Sequence, residues 1–251
     1  MDFKNGAELL SLCETRGLPI SRIMKEREIH LAETTTEEMD RKMKRVLEIM
    51  TRSAKDPISR PRASMGGLIG GEAALVDRHR RDGNAICGSL LSRAIAYSMA
   101  VLEVNSSMGL IVAAPTAGSS GVVPGVLLAL KEEYHLDDAD LLPALYNASA
   151  VGYLAMRNAT VAGAVGGCQA EVGVASAMAA SAAVELMGGT PTQCLDAAST
   201  SLMNLLGLVC DPVGGLVEYP CQNRNAIGVA GAITAAELAL SGVKQLIPFD
   251  E

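Results

Sequence analysis

Beyond residue 71 the chain is dominated by apolar, small-residue-rich segments that no linker or low-complexity stretch divides. Alanine, glycine, leucine and methionine are plentiful, aromatic residues make up only 3% and tryptophan is absent. That choice of side chains favours closely packed helices, because strands draw on β-branched and aromatic residues. The expected fold is therefore all-α. Helices are expected over about 87–104, 120–134, 139–156, 169–187, 191–208 and 224–240. Two starts are marked by caps. Thr35 with Glu38 reads as a capping box ahead of Met39, Met43, Val46, Leu47 and Met50 on one helical face, and Thr190-Pro191 with Gln193 reads as another.

With 251 residues, 49% of them hydrophobic, the chain can bury one substantial core. A single domain, 1–251, is expected, with charged helices over 1–56 forming an appended hairpin and the functional core over 57–251. The net charge of −7 argues against nucleic acid or an anionic membrane as a partner. The mean hydropathy of +0.25 raises the question of membrane spans. The uncharged run Ser106–Leu130 is long enough, yet Pro115, Gly118, Gly121, Pro124 and Gly125 interrupt it. Leu141–Met156 is too short and contains Pro143 and Asn147. Buried helices of a soluble, oligomeric protein account for both runs. The first residues lack a secretory or transit pattern, so a cytoplasmic location is expected.

Three of the six cysteines sit where ordinary packing does not account for them: Gly166-Gly167-Cys168-Gln169-Ala170-Glu171, Cys210-Asp211-Pro212-Val213-Gly214-Gly215 and Pro220-Cys221-Gln222-Asn223-Arg224-Asn225. Glycine beside a cysteine lets the backbone approach a bulky inorganic centre and leaves amides free to face sulfur. The chemistry points to an iron–sulfur cluster on Cys168, Cys210 and Cys221, with one iron open. A disulfide framework does not suit a chain of this size and profile, and structural zinc would call for a close Cys-x-x-Cys pair that is absent. Cys13, Cys87 and Cys194 read as ordinary packing. Asp211 is placed either to orient substrate or act in proton transfer, or else to cap the following helix or pair with Arg224. Asn225 is likewise open between a site and a structural role, and Glu171 reads as structural.

A second motif, Ala114-Pro115-Thr116-Ala117-Gly118-Ser119-Ser120-Gly121, precedes an apolar helical run. Its amides and hydroxyls either hold an anion at the helix N-terminus or form a plain start capped by Ser119 or Ser120. The loop Pro57–Gly71, with Ser64-Met65-Gly66-Gly67, reads as a connector or as a site-lining loop. His30, His79 and His135 lie among charged residues and read as surface histidines. No lysine lies in a Gly/Ser loop of the kind that receives pyridoxal phosphate.

Gly167-Cys168-Gln169-Ala170-Glu171-Val172-Gly173-Val174-Ala175, Cys210-Asp211-Pro212-Val213 and Pro220-Cys221 with Arg224-Asn225-Ala226 resemble the iron–sulfur L-serine dehydratases, and most closely the alpha chain of their two-chain bacterial form. The resemblance runs over most of the chain. It implies a [4Fe–4S] cluster on Cys168, Cys210 and Cys221 and conversion of L-serine to pyruvate and ammonia. It also implies a substrate-binding loop at Thr116, Ala117, Gly118, Ser119 and Ser120, with Thr116, Gly118, Ser119 and Asn225 as the catalytic set and Ser64, Gly66 and Asp211 lining the substrate. Relatives carry a Ser-Ser-His-Thr-like segment in a beta chain or domain. No such segment occurs here, so a beta-chain partner is expected in a hetero- or homo-oligomer. L-cysteine desulfidase, or a non-catalytic iron–sulfur or amino-acid-binding subunit, are the alternatives to this reading.

Overall fold

A computed structural model of the protein describes residues 2–251. At its centre is α9 (Val174–Leu186), whose residues Val174 to Val184 are all buried. A helix with no polar face has to be surrounded. Around it pack α6 (Val122–Glu133), α7 (Asp138–Asn158), α10 (Pro191–Asn204) and α11 (Cys221–Leu240). A second layer is built on α5 (Gly88–Ser106), which touches α11, α6, α3 (Thr36–Ser59) and α4 (Glu72–Arg81). The all-α expectation is met: the described residues contain helices and loops and no strand.

The small residues set how near these helices approach. A Cβ added at Gly125 would lie 2.9 Å from the Ala94 carbonyl oxygen and 3.0 Å from Val229 Cγ1, so α6 meets the backbone of α5 and a side chain of α11 with no room for a methyl group. Hydroxyls inside this core are paired, as burial requires. Ser176 Oγ donates to the Gly228 carbonyl at 2.8 Å, and Ser181 Oγ donates to Asn147 Oδ1 at 2.6 Å. The Asn147 amide donates in turn to Glu185 Oε2 at 2.7 Å.

The first fifty residues are not an appended hairpin. They form α1 (Gly6–Arg16), α2 (Ile20–Leu31) and most of α3, and Phe3, Leu9, Ile20, Ile23, Leu47 and Met50 belong to the same buried core as α9. Asp250, near the other end of the chain, accepts from the Gly6 and Ala7 amides at 2.6 and 2.9 Å and holds the start of α1. The expected break at Pro57 falls late: α3 continues through Pro57 to Ser59. The Thr190–Gln193 capping box is present in both directions, at 2.9 and 3.3 Å. At Thr35 only one half forms, the Glu38 amide donating to the Thr35 hydroxyl at 3.2 Å.

Glu103 on α5 is fully buried. Its Oε1 accepts from the Ala73 amide in the first turn of α4 at 3.0 Å, and its Oε2 is buried without a hydrogen-bond partner. Burial pushes this carboxyl up to about 7 against the opposing Ala73 and Gly71 amides, and the nearby Glu72 carboxylate adds to the rise. A carboxyl whose folded pKa lies above its ordinary 4.5 binds its proton more tightly when folded. Its contribution is complete below that ordinary value and is lost as pH rises through about 7. The urea midpoint is therefore expected to fall between about pH 5 and about pH 8, and Glu103→Gln should flatten this fall. An unchanged slope in the variant would assign the pH dependence to other groups.

Candidate metal centre and substrate site

Four segments that are far apart in sequence meet at one end of the helical core. Cys168 stands at the head of a π-helical turn, Gln169–Gly173, which runs directly into α9. Wide turns of this kind recur at functional sites because they re-aim side chains that a regular helix would stack. Gly167, at φ +77°, brings the chain so near Leu208 that an added Cβ would sit 2.5 Å from its carbonyl oxygen. The Gln169 amide donates to that same carbonyl at 3.0 Å, docking the segment before Cys210 against the segment of Cys168.

The sulfurs of Cys168 and Cys210 and a carboxylate oxygen of Glu171 lie within 4.8 Å of one another. Cys168 is buried and Cys210 is exposed, so the group opens to the surface. Cys221, at the first position of α11, is half-buried. Burial pushes its thiol up to about 11, and the neighbouring Cys168, Glu171 and Cys210 act in the same direction. Burial also raises the Cys168 thiol, against the Arg224 guanidinium, which donates to its sulfur at 3.1 Å. Arg224 further donates to the Val209 carbonyl at 2.8 Å and pairs with Asp211 at 2.6 Å. Asp211 is thus held by Arg224, one of the structural roles read for it in the sequence.

A thiol-rich set with one carboxylate suits zinc or an iron–sulfur centre better than a hard cation. The residues fit the latter. The Cys168 and Cys210 thiols meet beside Glu171, Cys221 lies outside that group but near enough to feel their charge, glycine backbone is close by, and a guanidinium stands ready to offset anionic sulfur. Glu171, read as structural in the sequence, lies inside this group. Its Oε1 accepts from Thr116 Oγ1 at 2.8 Å, so it joins the cysteines to the second motif. A Cβ at Gly163 would meet Glu171 Oε2 at 2.2 Å, which shows how closely the turn before Cys168 wraps this carboxylate. The signal available beforehand was its i+3 spacing from Cys168, which places both on one helical face.

The second motif precedes α6 without a side-chain cap. Ser119 and Ser120 are fully buried and serve the loop: Ser120 Oγ donates to the Ala117 carbonyl at 2.7 Å, and Ser119 Oγ lies 3.1 Å from Thr116 Oγ1. The start of α6 is held instead by Asn225. Its Oδ1 accepts from the Gly121 amide at 3.0 Å, and its Nδ2 donates to the Gly118 and Cys221 carbonyls at 2.8 and 2.9 Å. Asn225 is fully buried and its amide is committed to backbone. Thr116 and Gly118 are half-buried and Ala117 is exposed, so this loop presents backbone and the Thr116 hydroxyl at the surface beside the cysteines.

Ser64 and Gly66 reach the same region through Glu218, a residue the sequence reading did not single out. Glu218 is buried and accepts from Ser64 Oγ at 2.6 Å and from the Gly66 and Leu68 amides at 2.7 and 3.0 Å. His30, His79 and His135 are all exposed, as expected. No helix among the described residues is long and apolar enough to cross a membrane.

The profile of the serine dehydratase alpha chain family matches residues 15–251. The L-serine dehydratase alpha chain of Peptoniphilus asaccharolyticus is 45% identical over 97% of this chain and 84% of its own length. A probable L-serine dehydratase alpha chain of Bacillus subtilis is 43% identical over 99% of this chain and 83% of its own. An L-serine dehydratase of Streptomyces coelicolor is 36% identical over 96% of this chain but only 53% of its own length.

Replacing Arg224 by Gln removes the cationic donor to Cys168 and the tie between the two cysteine segments. Groups of this kind typically tune metal affinity by about tenfold or more. Arg224→Gln is expected to retain far less iron than the parent after anaerobic reconstitution and desalting, with unchanged helical circular dichroism. Equal iron content would show that the guanidinium has no part in the centre. The match over nearly the whole length, with relatives 45% and 43% identical across it, establishes that the chain belongs to the serine dehydratase alpha chain family.

Proposed function

We propose that the chain is the cluster-bearing part of a lyase that converts L-serine to pyruvate and ammonia, with a beta chain completing the site. The observation that carries this reading is the hydrogen bond from Thr116 Oγ1 to Glu171 Oε1 at 2.8 Å, which sets the substrate loop against the cysteine group. Two similar proteins are named as alpha chains of L-serine dehydratase, and the longer Streptomyces relative carries about as much chain again in one polypeptide.

Dehydration of serine asks for two things at once. The β-hydroxyl must leave with its electron pair, and the Cα proton must be removed. When bound to Cys168, Cys210 and Cys221, a [4Fe–4S] cluster supplies an open iron as a Lewis acid for the hydroxyl, a contribution of several kcal/mol. The chain's own residues supply position. The Thr116 hydroxyl gives its proton to Glu171, which leaves the neighbouring Ala117 and Gly118 backbone amides as the donors that suit the carboxylate of an amino acid. Asn225 fixes that loop from beneath by tying Gly118 and Gly121 to the start of α11. Glu171 orients the Thr116 hydroxyl beside the cysteines. Loss of water leaves aminoacrylate, which tautomerises to the imine and hydrolyses to pyruvate and ammonia. The base for the Cα proton is assigned to the beta chain, where the resemblance implies a histidine-bearing segment that this chain lacks.

The test is anaerobic reconstitution with iron and sulfide followed by a coupled pyruvate assay on L-serine, with and without the beta chain. Pyruvate is expected only with cluster and partner together, and Cys168→Ala should lower it by at least about a hundredfold. A loaded cluster that yields no pyruvate but releases sulfide from L-cysteine would replace this reading with the desulfidase one.

A further inference from the structure

The three acceptor contacts of Glu218 have the form of a carboxylate in a binding site. One hydroxyl and two amides, all from the Ser64–Leu68 loop, converge on its two oxygens. Ser64 Oγ is itself steadied by accepting from the Ile69 amide at 3.3 Å. Burial alone would raise the Glu218 carboxyl, but these donors outweigh it and hold the group below its ordinary value. The approach is close: a Cβ at Gly66 would fall 2.2 Å from Leu216 Cδ1 and 2.8 Å from Glu218 Oε1. The adjoining Val217 stands against the other loop, with its Cγ1 3.3 Å from the place of a Gly118 Cβ. Leu216-Val217-Glu218 is therefore a wedge between both loops expected to line the substrate, and it lies between Cys210 and Cys221.

We infer that Glu218 is a positioning residue for the substrate site: its own carboxylate fills the donor hollow of the Ser64–Leu68 loop and fastens that loop to the segment between two cluster cysteines. This rests on the reading of the site given above and deepens it. Ser64 and Gly66 then act through Glu218, since their donors are already engaged, and the substrate's carboxylate is left to the Thr116 loop. Cluster loading fixes both ends of the Cys210–Cys221 segment, so it also fixes Glu218 and, through it, the Ser64 loop. Metal content and substrate affinity are thereby linked by one side chain that touches neither the metal nor the substrate.

Glu218→Gln keeps the shape but turns one acceptor oxygen into a donor that faces donors. Hydrogen–deuterium exchange on the chain alone, with and without reconstituted cluster, reads the loop directly. In the parent, cluster loading is expected to slow exchange at Gly66 and Leu68. In Glu218→Gln these amides should exchange faster by about tenfold and be insensitive to loading. With the beta chain present, Glu218→Gln and Ser64→Ala should each raise KM for L-serine several-fold at nearly constant kcat. The double variant should be no worse than either single one, because both break the same contact. Additive effects would show that Ser64 meets the substrate independently and would overturn the inference. Parent-like exchange in Glu218→Gln, or iron and helicity lost in parallel with KM, would also overturn it. A parent enzyme that makes no pyruvate would sink the proposed activity, while the exchange measurement would still decide the role of Glu218.

Discussion

Everything at the functional end of this molecule depends on the first turn of α11. Successive helical residues point about 100° apart, so one buried turn can address every direction around it. Cys221 lies within electrostatic reach of Cys168 and Cys210, and Gln222 reaches toward Glu103 and the Met99 carbonyl. Arg224 holds the Cys168 sulfur, the Val209 carbonyl and Asp211. Asn225 holds both ends of the Gly118–Gly121 loop. Just before this turn, Glu218 secures the Ser64 loop. Five side chains within one short stretch of chain thus place four remote segments, and displacement of that turn would disperse the site.

The turn can serve this purpose because the helices around it are pressed together by small residues. Gly228 on α11 would, with a Cβ, meet Val122 and Val172 side chains at 2.9 Å, and Gly121 would meet the Ser98 carbonyl oxygen at 2.2 Å. Adding a methyl group at such contacts typically costs about 1–3 kcal/mol through forced shifts. The composition that reads as a preference for helices is also what lets α11 approach α6 and the π turn ahead of α9. Packing and site geometry are in this sense the same constraint. The buried Glu103 carboxyl and the Gln222 amide extend it to α4 and α5.

Much of this was legible in the residues. Helical periodicity and the scarcity of aromatics gave the fold class, and the Thr190 capping box marked its helix start. Of the three motif cysteines, Cys168 and Cys210 meet in space, together with Glu171, while Cys221 lies outside that group. Less legible were contacts whose partners are distant in sequence. Glu171 read as structural because a carboxylate near a cysteine has many local uses, and only the folded chain sets Thr116 against it. Glu218 sits in a short loop with nothing local to mark it, and its donors lie about 150 residues earlier, as the Leu68 contact does. Ser119 and Ser120 looked like caps, yet Asn225 takes that work from another helix. The amphipathic α1–α3 read as an appendage because their charged faces are conspicuous, while the apolar stripes that join them to the core are narrow.

The proposed function depends on Cys168, Cys210 and Cys221 together holding an iron–sulfur centre beside the Thr116 loop. The most direct measurement is the Mössbauer spectrum of the anaerobically reconstituted chain, enriched in the iron isotope that the method detects, recorded with its beta chain before and after L-serine is added. One iron subsite is expected to differ from the rest and to shift when serine binds. A spectrum in which all irons are alike and indifferent to serine would contradict the account.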